Sequence, residues 1–117
     1  MKSIKELYRI GTGPSSSHTM GPRKAAEMFL TRHPEAASFK VTLYGSLAAT
    51  GKGHMTDVAI IDTLKPTAPV DIIWQPKIFL PFHPNGMNFV ALDAGGNELE
   101  NWTVYSVGGG ALAEDNK

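Results

Sequence analysis

The chain has 117 residues, 11 basic and 11 acidic side chains, and no cysteine. This length fits one modest core, so we predict a single domain over residues 1–117. The balanced charge gives no net field to attract nucleic acid or an anionic membrane, and the lack of thiols excludes disulfides, thiolate nucleophiles and iron–sulfur ligation by this chain alone. No stretch approaches the ~20 apolar residues of a membrane span or the apolar core of a signal peptide, which predicts a cytoplasmic protein.

The amino-terminal part predicts a loop followed by one amphipathic helix. Residues 11–19 are almost wholly Gly, Pro, Ser and Thr, a composition typical of a loop. A helix is predicted from about residue 22 to residue 33, because Pro22 suits a first helical turn and Pro34 disfavours helical geometry in the residue before it. His33 then ends the helix, where its interaction with the helix dipole is favourable.

The middle of the chain predicts a strand, a loop and a second helix. Alternating apolar residues over 39–44 predict a strand, and the small residues over 45–53 predict a second loop. The second helix is predicted over about 54–64, with its apolar residues on one side. Prolines punctuate residues 66–76, which predicts an irregular connector.

The carboxyl-terminal part predicts a strand meander. Strands are predicted over 78–82, 88–92 and 102–107, and turns at 84–86 and 95–97, because Asn-Gly and Gly-Gly-Asn favour hairpins. The predicted fold class is therefore α+β, with two helices packed on one face of a mixed, largely antiparallel sheet.

The most informative segment is GPSSSHTMGP, at residues 13–22. Its serines, with His18 and Thr19, offer hydroxyl and backbone N–H donors immediately before the predicted helix start, and Arg23 follows in the predicted first turn. Helix amino termini attract anions, so this segment favours binding of a carboxylate or a phosphate. A helix cap with spare serines is the alternative interpretation.

The second informative segment, residues 44–57, leads from the predicted strand through small residues into the second helix. His54 and Asp57 lie one helical turn apart near the positive end of that helix. A histidine in these surroundings can be oriented and tuned as a general base. The alternative is a surface histidine on a capped helix. Nucleotide binding is disfavoured, because the GKGH run lacks the hydroxyl residue and the glycine spacing of a P-loop.

Further interpretations of lysine and histidine residues stay open. Lys52 could form a Schiff base with pyridoxal phosphate, although no other signature of such enzymes accompanies it. His83, between a predicted strand and a tight turn, is interpreted as structural. A zinc site is a third interpretation, although no close ligand pair of a familiar zinc motif occurs. Its ligands would be His18, His54, Asp57 and His83.

Several segments together resemble one enzyme family. Residues 13–22 resemble the N-terminal signature of the iron–sulfur-dependent L-serine dehydratases. The segments YGSL at 44–47, GKGHMTD at 51–57, HPN at 83–85 and SVGGG at 106–110 match further motifs of the β domain of that family, in the same order. The resemblance implies the β domain or β subunit of an L-serine ammonia-lyase, with a fold similar to the allosteric substrate-binding domain of phosphoglycerate dehydrogenases.

The resemblance also implies a cofactor and a partner. In the family, an α domain or subunit holds a 4Fe-4S cluster through three cysteines and leaves one iron open to bind L-serine. Because this chain has no cysteine, the α part must lie downstream or on another chain, and we expect this chain to be inactive without it. A polar tail after the glycines at 108–110 fits a fragment or a separately encoded subunit. We expect the full enzyme to be a homo-oligomer; whether it accepts threonine stays open.

Site residues follow from the matched motif positions. The resemblance implies that His54 is the base that takes the Cα proton and that His18 belongs to the group that holds the substrate carboxylate. The hydroxyl members of that group are Ser16, Ser17 and Thr19. The spacing of Asp57 suggests that it orients His54, and the roles of the two histidines could be exchanged. A regulatory module that senses serine or another small anion is the alternative function.

Overall fold

The structure is a computed structural model that describes residues 16–51, 56–81, 83–108 and 111–114. The helices are α1 (Ser16–Arg32), α2 (Gly45–Gly51) and α3 (Thr56–Leu64). The strands are β1 (Ser38–Tyr44), β2 (Val70–Gln75), β3 (Gly86–Leu92), β4 (Glu98–Gly108) and β5 (Ala111–Ala113). Within these ranges, no helix has the length and apolar character that a bilayer crossing requires.

The five strands form one mixed sheet in the order β2-β1-β3-β4-β5. β1 and β2 are parallel and are joined through α2 and α3, whereas the other three pairs are antiparallel. Parallel neighbours need such a helical crossover, because no short turn can bring the chain back to the same edge of the sheet. The α+β prediction is confirmed, and the similarity to the phosphoglycerate dehydrogenase domain stays a prediction.

The core lies between the sheet and the layer formed by α1 and α3. Every second residue of the central strands is buried against these helices, because side chains alternate between the two faces of a sheet. Phe29 of α1 is at the centre: its ring stacks on Trp102 with the centroids 6.0 Å apart and contacts Phe89 at 5.5 Å. Burying one such aromatic side chain contributes on the order of 2–3 kcal/mol, so these contacts fix α1 firmly on the sheet.

The first helix begins earlier than predicted. It starts at Ser16, so Pro22 is its seventh residue and not its first. A proline there cannot donate the helical hydrogen bond to the carbonyl of residue 18. Pro22 is nevertheless fully buried, and this packing offsets the missing bond. The predicted loop over 11–19 is therefore wrong at its end, since residues 16–19 form the first turn of α1.

Two segments predicted as irregular are regular. Residues 45–51 form α2, because Leu47 and Ala48 are good helix formers and are buried against the sheet. The predicted connector contains β2, whose residues are largely branched and apolar. Pro69 and Pro76 flank this strand and do not interrupt its hydrogen bonds to β1.

The last two strands of the predicted meander are confirmed, and the prediction of its first strand is wrong. β3 and β4 form the expected hairpin, closed by Asp93 N donating to Asn97 O at 2.9 Å, with Gly96 at a φ of 83°. Residues 78–81 are not a strand, and Gly86 begins β3, which pairs with β1. Part of the predicted polar tail is the short edge strand β5.

Candidate functional site

Three strand ends lie together at one edge of the sheet. Leu43 pairs with Met87 and Gly86 pairs with Tyr105. The carboxyl end of β1, the amino end of β3 and the carboxyl end of β4 are therefore neighbours. The segments 44–47, 83–85 and 106–108, far apart in sequence, meet at this edge, which we call the motif edge.

Hydrogen bonds of the turn at 83–85 tie the motif edge together. Pro84 O accepts from the backbone N–H of Ser46 at 3.1 Å. Asn85 makes two bonds to Ser106: its carbonyl accepts from Ser106 N at 3.0 Å, and its Nδ2 donates to Ser106 O at 3.1 Å. The turn is thus held on one side by the start of α2 and on the other by the end of β4.

Helix α1 reaches the same edge through a close contact between Gly21 and Ser106. A Cβ atom added at Gly21 would lie 2.1 Å from Ser106 Oγ, so only glycine lets the helix approach this strand so closely. The opposite end of α1 lies beside the other end of β4, where Arg32 bonds Glu100. The helix therefore runs antiparallel to β4, with its amino-terminal turn at the motif edge.

Gly45 lets the chain turn sharply from β1 into α2. Its φ is 51°, and an added Cβ would lie 2.7 Å from Pro84 O and 2.8 Å from the ring of Phe79. Both the left-handed conformation and the lack of space favour glycine here. The amino end of α2 is consequently held against the turn at 83–85.

The predicted anion-binding residues lie in the first turn of α1. Ser16, Ser17 and His18 belong to this turn by their backbone, and their side chains lie outside the described part. Thr19 is half-buried. Because the first four N–H groups of a helix have no intrahelical acceptor, the turn itself supplies donors at the motif edge.

The predicted base and its partner are placed only in part. His54 and Lys52 lie outside the described residues, as does the first part of the segment at 13–22. Asp57 is half-buried in the first turn of α3. The predicted contact between Asp57 and His54 therefore stays a prediction.

Arg23 is not in the first turn of its helix. It lies in the second turn, with 62% of its side chain exposed and its Nε 3.6 Å from Glu27 Oε2. An exposed ion pair at this spacing contributes only ~0–1 kcal/mol. The prediction that Arg23 lies in the first helical turn is wrong, because the helix begins at Ser16.

His83 has a defined contact that the sequence did not reveal. Its Nδ1 accepts a hydrogen bond from the backbone N–H of Asn85 at 3.0 Å, and its side chain is half-buried at the motif edge. The histidine two residues before an Asn-Gly pair was the available signal. The sequence alone favours a structural role for His83 in a turn, with a zinc ligand as the alternative.

Comparison with known proteins identifies the family. Residues 3–72 and 62–117 match the family model of the serine dehydratase beta chain. The chain belongs to this family. It is 35% identical over 153 residues to the L-serine dehydratase of Streptomyces coelicolor and 36% identical over 156 residues to L-serine dehydratase TdcG of Escherichia coli. These alignments cover 97% and 98% of this chain and 34% of each relative, so the chain spans about a third of their length.

The alignments also reveal an internal difference from the relatives. The alignment to the Streptomyces coelicolor protein spans 153 positions and this chain supplies at most 117, so at least 36 positions of that relative have no counterpart here. The two family-model matches overlap at residues 62–72, which indicates that the absent stretch belongs between α3 and β2. In this chain, residues 65–69 alone connect the two elements. The segments of the motif edge, at 44–47, 83–85 and 106–108, lie outside the overlap at residues 62–72.

Proposed function

We propose that this chain is the β part of an iron–sulfur-dependent L-serine ammonia-lyase, which converts L-serine to pyruvate and ammonia. The observation that carries the proposal is the meeting of the family's motif segments at one edge of the sheet, with the amino end of α1 beside them. Motif segments that are far apart in sequence and meet at one surface are typical of a binding or catalytic site.

In this proposal, the first turn of α1 binds the substrate carboxylate. The N–H groups of a first helical turn have no intrahelical acceptor, and together with the positive end of the helix dipole they favour an anion. Ser16, Ser17 and Thr19 add hydroxyl donors, and His18 adds a ring N–H. The carboxylate is thereby fixed while the rest of the serine stays accessible to a base.

His54 takes the Cα proton in the proposed mechanism, and Asp57 orients its ring. The electron pair of the broken Cα–H bond forms the Cα=Cβ double bond, and the Cβ–O bond breaks with its electron pair on oxygen. The hydroxyl group leaves as hydroxide, which together with the proton taken by His54 makes one water. The aminoacrylate that results is hydrolysed to pyruvate and ammonia. In the proposed reaction, this chain deprotonates Cα and binds the substrate carboxylate.

The iron–sulfur cluster does not fit this chain. The sequence has no cysteine, and the described residues contain no group of three or more His, Cys, Asp or Glu side chains that could hold a metal ion. We therefore assign the 4Fe-4S cluster to the α part and expect the complete enzyme to be a cytoplasmic homo-oligomer.

Reconstitution tests the proposal. The chain is co-produced under anaerobic conditions with a cysteine-bearing chain similar to the remaining two thirds of the relatives. We expect pyruvate from L-serine in the assembled enzyme and none from either part alone. A complex with an intact cluster that binds L-serine without releasing pyruvate would contradict the proposal and support the regulatory module. L-threonine is assayed in parallel.

A further inference from the structure

We propose that the outer edge of β2 is a self-association surface, on which β2 of a second copy of this chain pairs in the antiparallel direction. The inference goes beyond the proposed function, because it concerns assembly and does not depend on the reaction. Its evidence is the outward-facing backbone of this strand, the shortened connection beside it and the sequence of the strand, which is complementary to itself.

The backbone of Ile72 faces away from the sheet. β2 is an edge strand, and the backbone N–H of Phe39 in β1 donates to Pro69 O at 2.9 Å. In a parallel ladder, alternate residues of a strand bond the same neighbour, so Asp71 and Ile73 bond β1 and the N–H and C=O groups of Ile72 face outward. No described residue bonds these two groups. Such groups on an edge strand are a template for a further strand.

The two edges of the described sheet differ in how well they are protected. The edge strand β5 has only 3 residues, and a very short strand is a common protection against pairing with another chain. β2 has 6 residues and contains neither lysine nor proline, the residue types that most often block an edge. Its apolar side chains are half-buried. β2 is therefore the edge at which a further strand can be added.

The shortened connection between α3 and β2 leaves this part of the surface uncovered. The stretch that the chain lacks relative to the Streptomyces coelicolor protein falls at this connection. Residues 65–69 are all needed to join the two elements, so they cannot also cover the edge of β2. An open groove of about 420 Å³ lies at the same connection and is lined by Ile61, Asp62, Lys65 and Pro66. The groove and the start of β2 are thus both accessible to a second copy.

The sequence of β2 is complementary to itself in one antiparallel register. With Ile72 opposite Ile72 of the second copy, their outward N–H and C=O groups exchange two hydrogen bonds. On the helix side of the sheet, Val70 is opposite Trp74, so side chains that pack against the core of each copy continue across the interface. On the other side, Asp71 is opposite Ile73, so the one charged residue of the strand meets no like charge. A second copy therefore matches β2 in both its backbone and its side chains.

A matched pair of variants at Ile73 tests the pairing, because this position is opposite Asp71 of the second copy. We expect Ile73→Asp to weaken the dimer roughly 3- to 30-fold through two like-charge contacts, and Ile73→Lys to keep the dissociation constant within about threefold of the wild type. Both variants replace the same side chain and change the net charge by the same amount. Analytical ultracentrifugation of the full chain over micromolar concentrations measures the constants. A monomeric wild type, or equal constants for the two variants, would overturn the proposal.

Amide hydrogen exchange of the wild-type chain gives a second readout that needs no variant. The N–H of Ile73 bonds β1 in every copy, whereas the N–H of Ile72 is bonded only when a further strand is added. We expect the protection of Ile72 to rise with chain concentration and that of Ile73 to change much less. Protection of Ile72 that is independent of concentration, or that requires the α part, would overturn the proposal. Failure of the assembled enzyme to release pyruvate would count against the lyase function alone.

Discussion

Nε2 of His33 lies 2.5 Å from Oε1 of Glu100, so the residue that follows α1 is bonded directly to β4. Arg32 adds bonds from Nε and from its terminal nitrogen to the two oxygens of the same carboxylate, both at 3.1 Å. Its guanidinium also lies 4.5 Å from the ring centre of Trp102. This end of α1 is therefore fixed by a charged cluster, at the opposite end of the helix from the motif edge.

The first prediction concerns His33, for which the sequence suggested only an interaction with the helix dipole. That interaction alone would contribute at most about 1 kcal/mol. The bond to Glu100 and the packing of the ring 5.0 Å from Phe29 raise the expected cost of His33→Ala to about 1–2 kcal/mol of unfolding free energy. Urea denaturation measures it, with Arg23→Ala as the near-neutral control. Turnover of the assembled enzyme should be unchanged, because His33, Arg32 and Glu100 lie at the end of α1 that is remote from the motif edge.

The second prediction concerns acid stability. Burial raises the pKa of Glu100, but hydrogen bonds from Arg32 and His33 outweigh it and hold this pKa below its usual value of 4.5. The folded protein therefore binds this proton less readily than the unfolded chain, so the carboxylate stabilises the fold above pH 4.5 and this contribution is lost as the pH falls through the lowered pKa. The difference in unfolding free energy between wild type and Glu100→Gln should shrink in that range. Glu98→Gln, exposed on the same strand, is the control; a constant difference for Glu100→Gln would contradict the assignment.

Local pattern predicted much of the fold but little of the site. The alternation of apolar residues predicted β1, and the turn residues predicted the hairpin that closes at residues 93–97. Both predictions succeed because strand period and turn chemistry are local properties. β2 was missed because the prolines beside it outweighed its branched residues, although a proline that flanks a strand removes no hydrogen bond from it. The meeting of residues 83–85 with Ser106 depends on the register of β3 between β1 and β4, which no local pattern specifies.

The third prediction tests the approach of α1 to β4. Alanine normally stabilises a helix interior relative to glycine, yet Gly21→Ala should destabilise the protein by roughly 1–3 kcal/mol, because the new methyl group has no room beside Ser106. In Gly21→Ala/Ser106→Gly, the space left by the serine side chain admits the methyl group. Chemical denaturation of the single and double variants should show that the cost of Gly21→Ala is smaller in the Ser106→Gly background. Equal costs in both backgrounds would show that the contact does not limit the helix position.

The fourth prediction separates the roles of the two site histidines in the assembled enzyme. If His54 is the base, His54→Ala should lower kcat by roughly 100-fold or more while the cluster and the fold persist, the usual scale for loss of a positioned proton acceptor. His18→Ala should mainly raise KM, because a contact to the carboxylate that is equally strong in the ground state and the transition state changes binding and not the chemical step. His33→Ala is the matched control for replacing a histidine outside the motif edge. If His54→Ala kept a near-full kcat with an intact iron–sulfur cluster, His54 could not be the base. The roles of the two histidines would then be exchanged, with His18, in the first turn of α1, as the base.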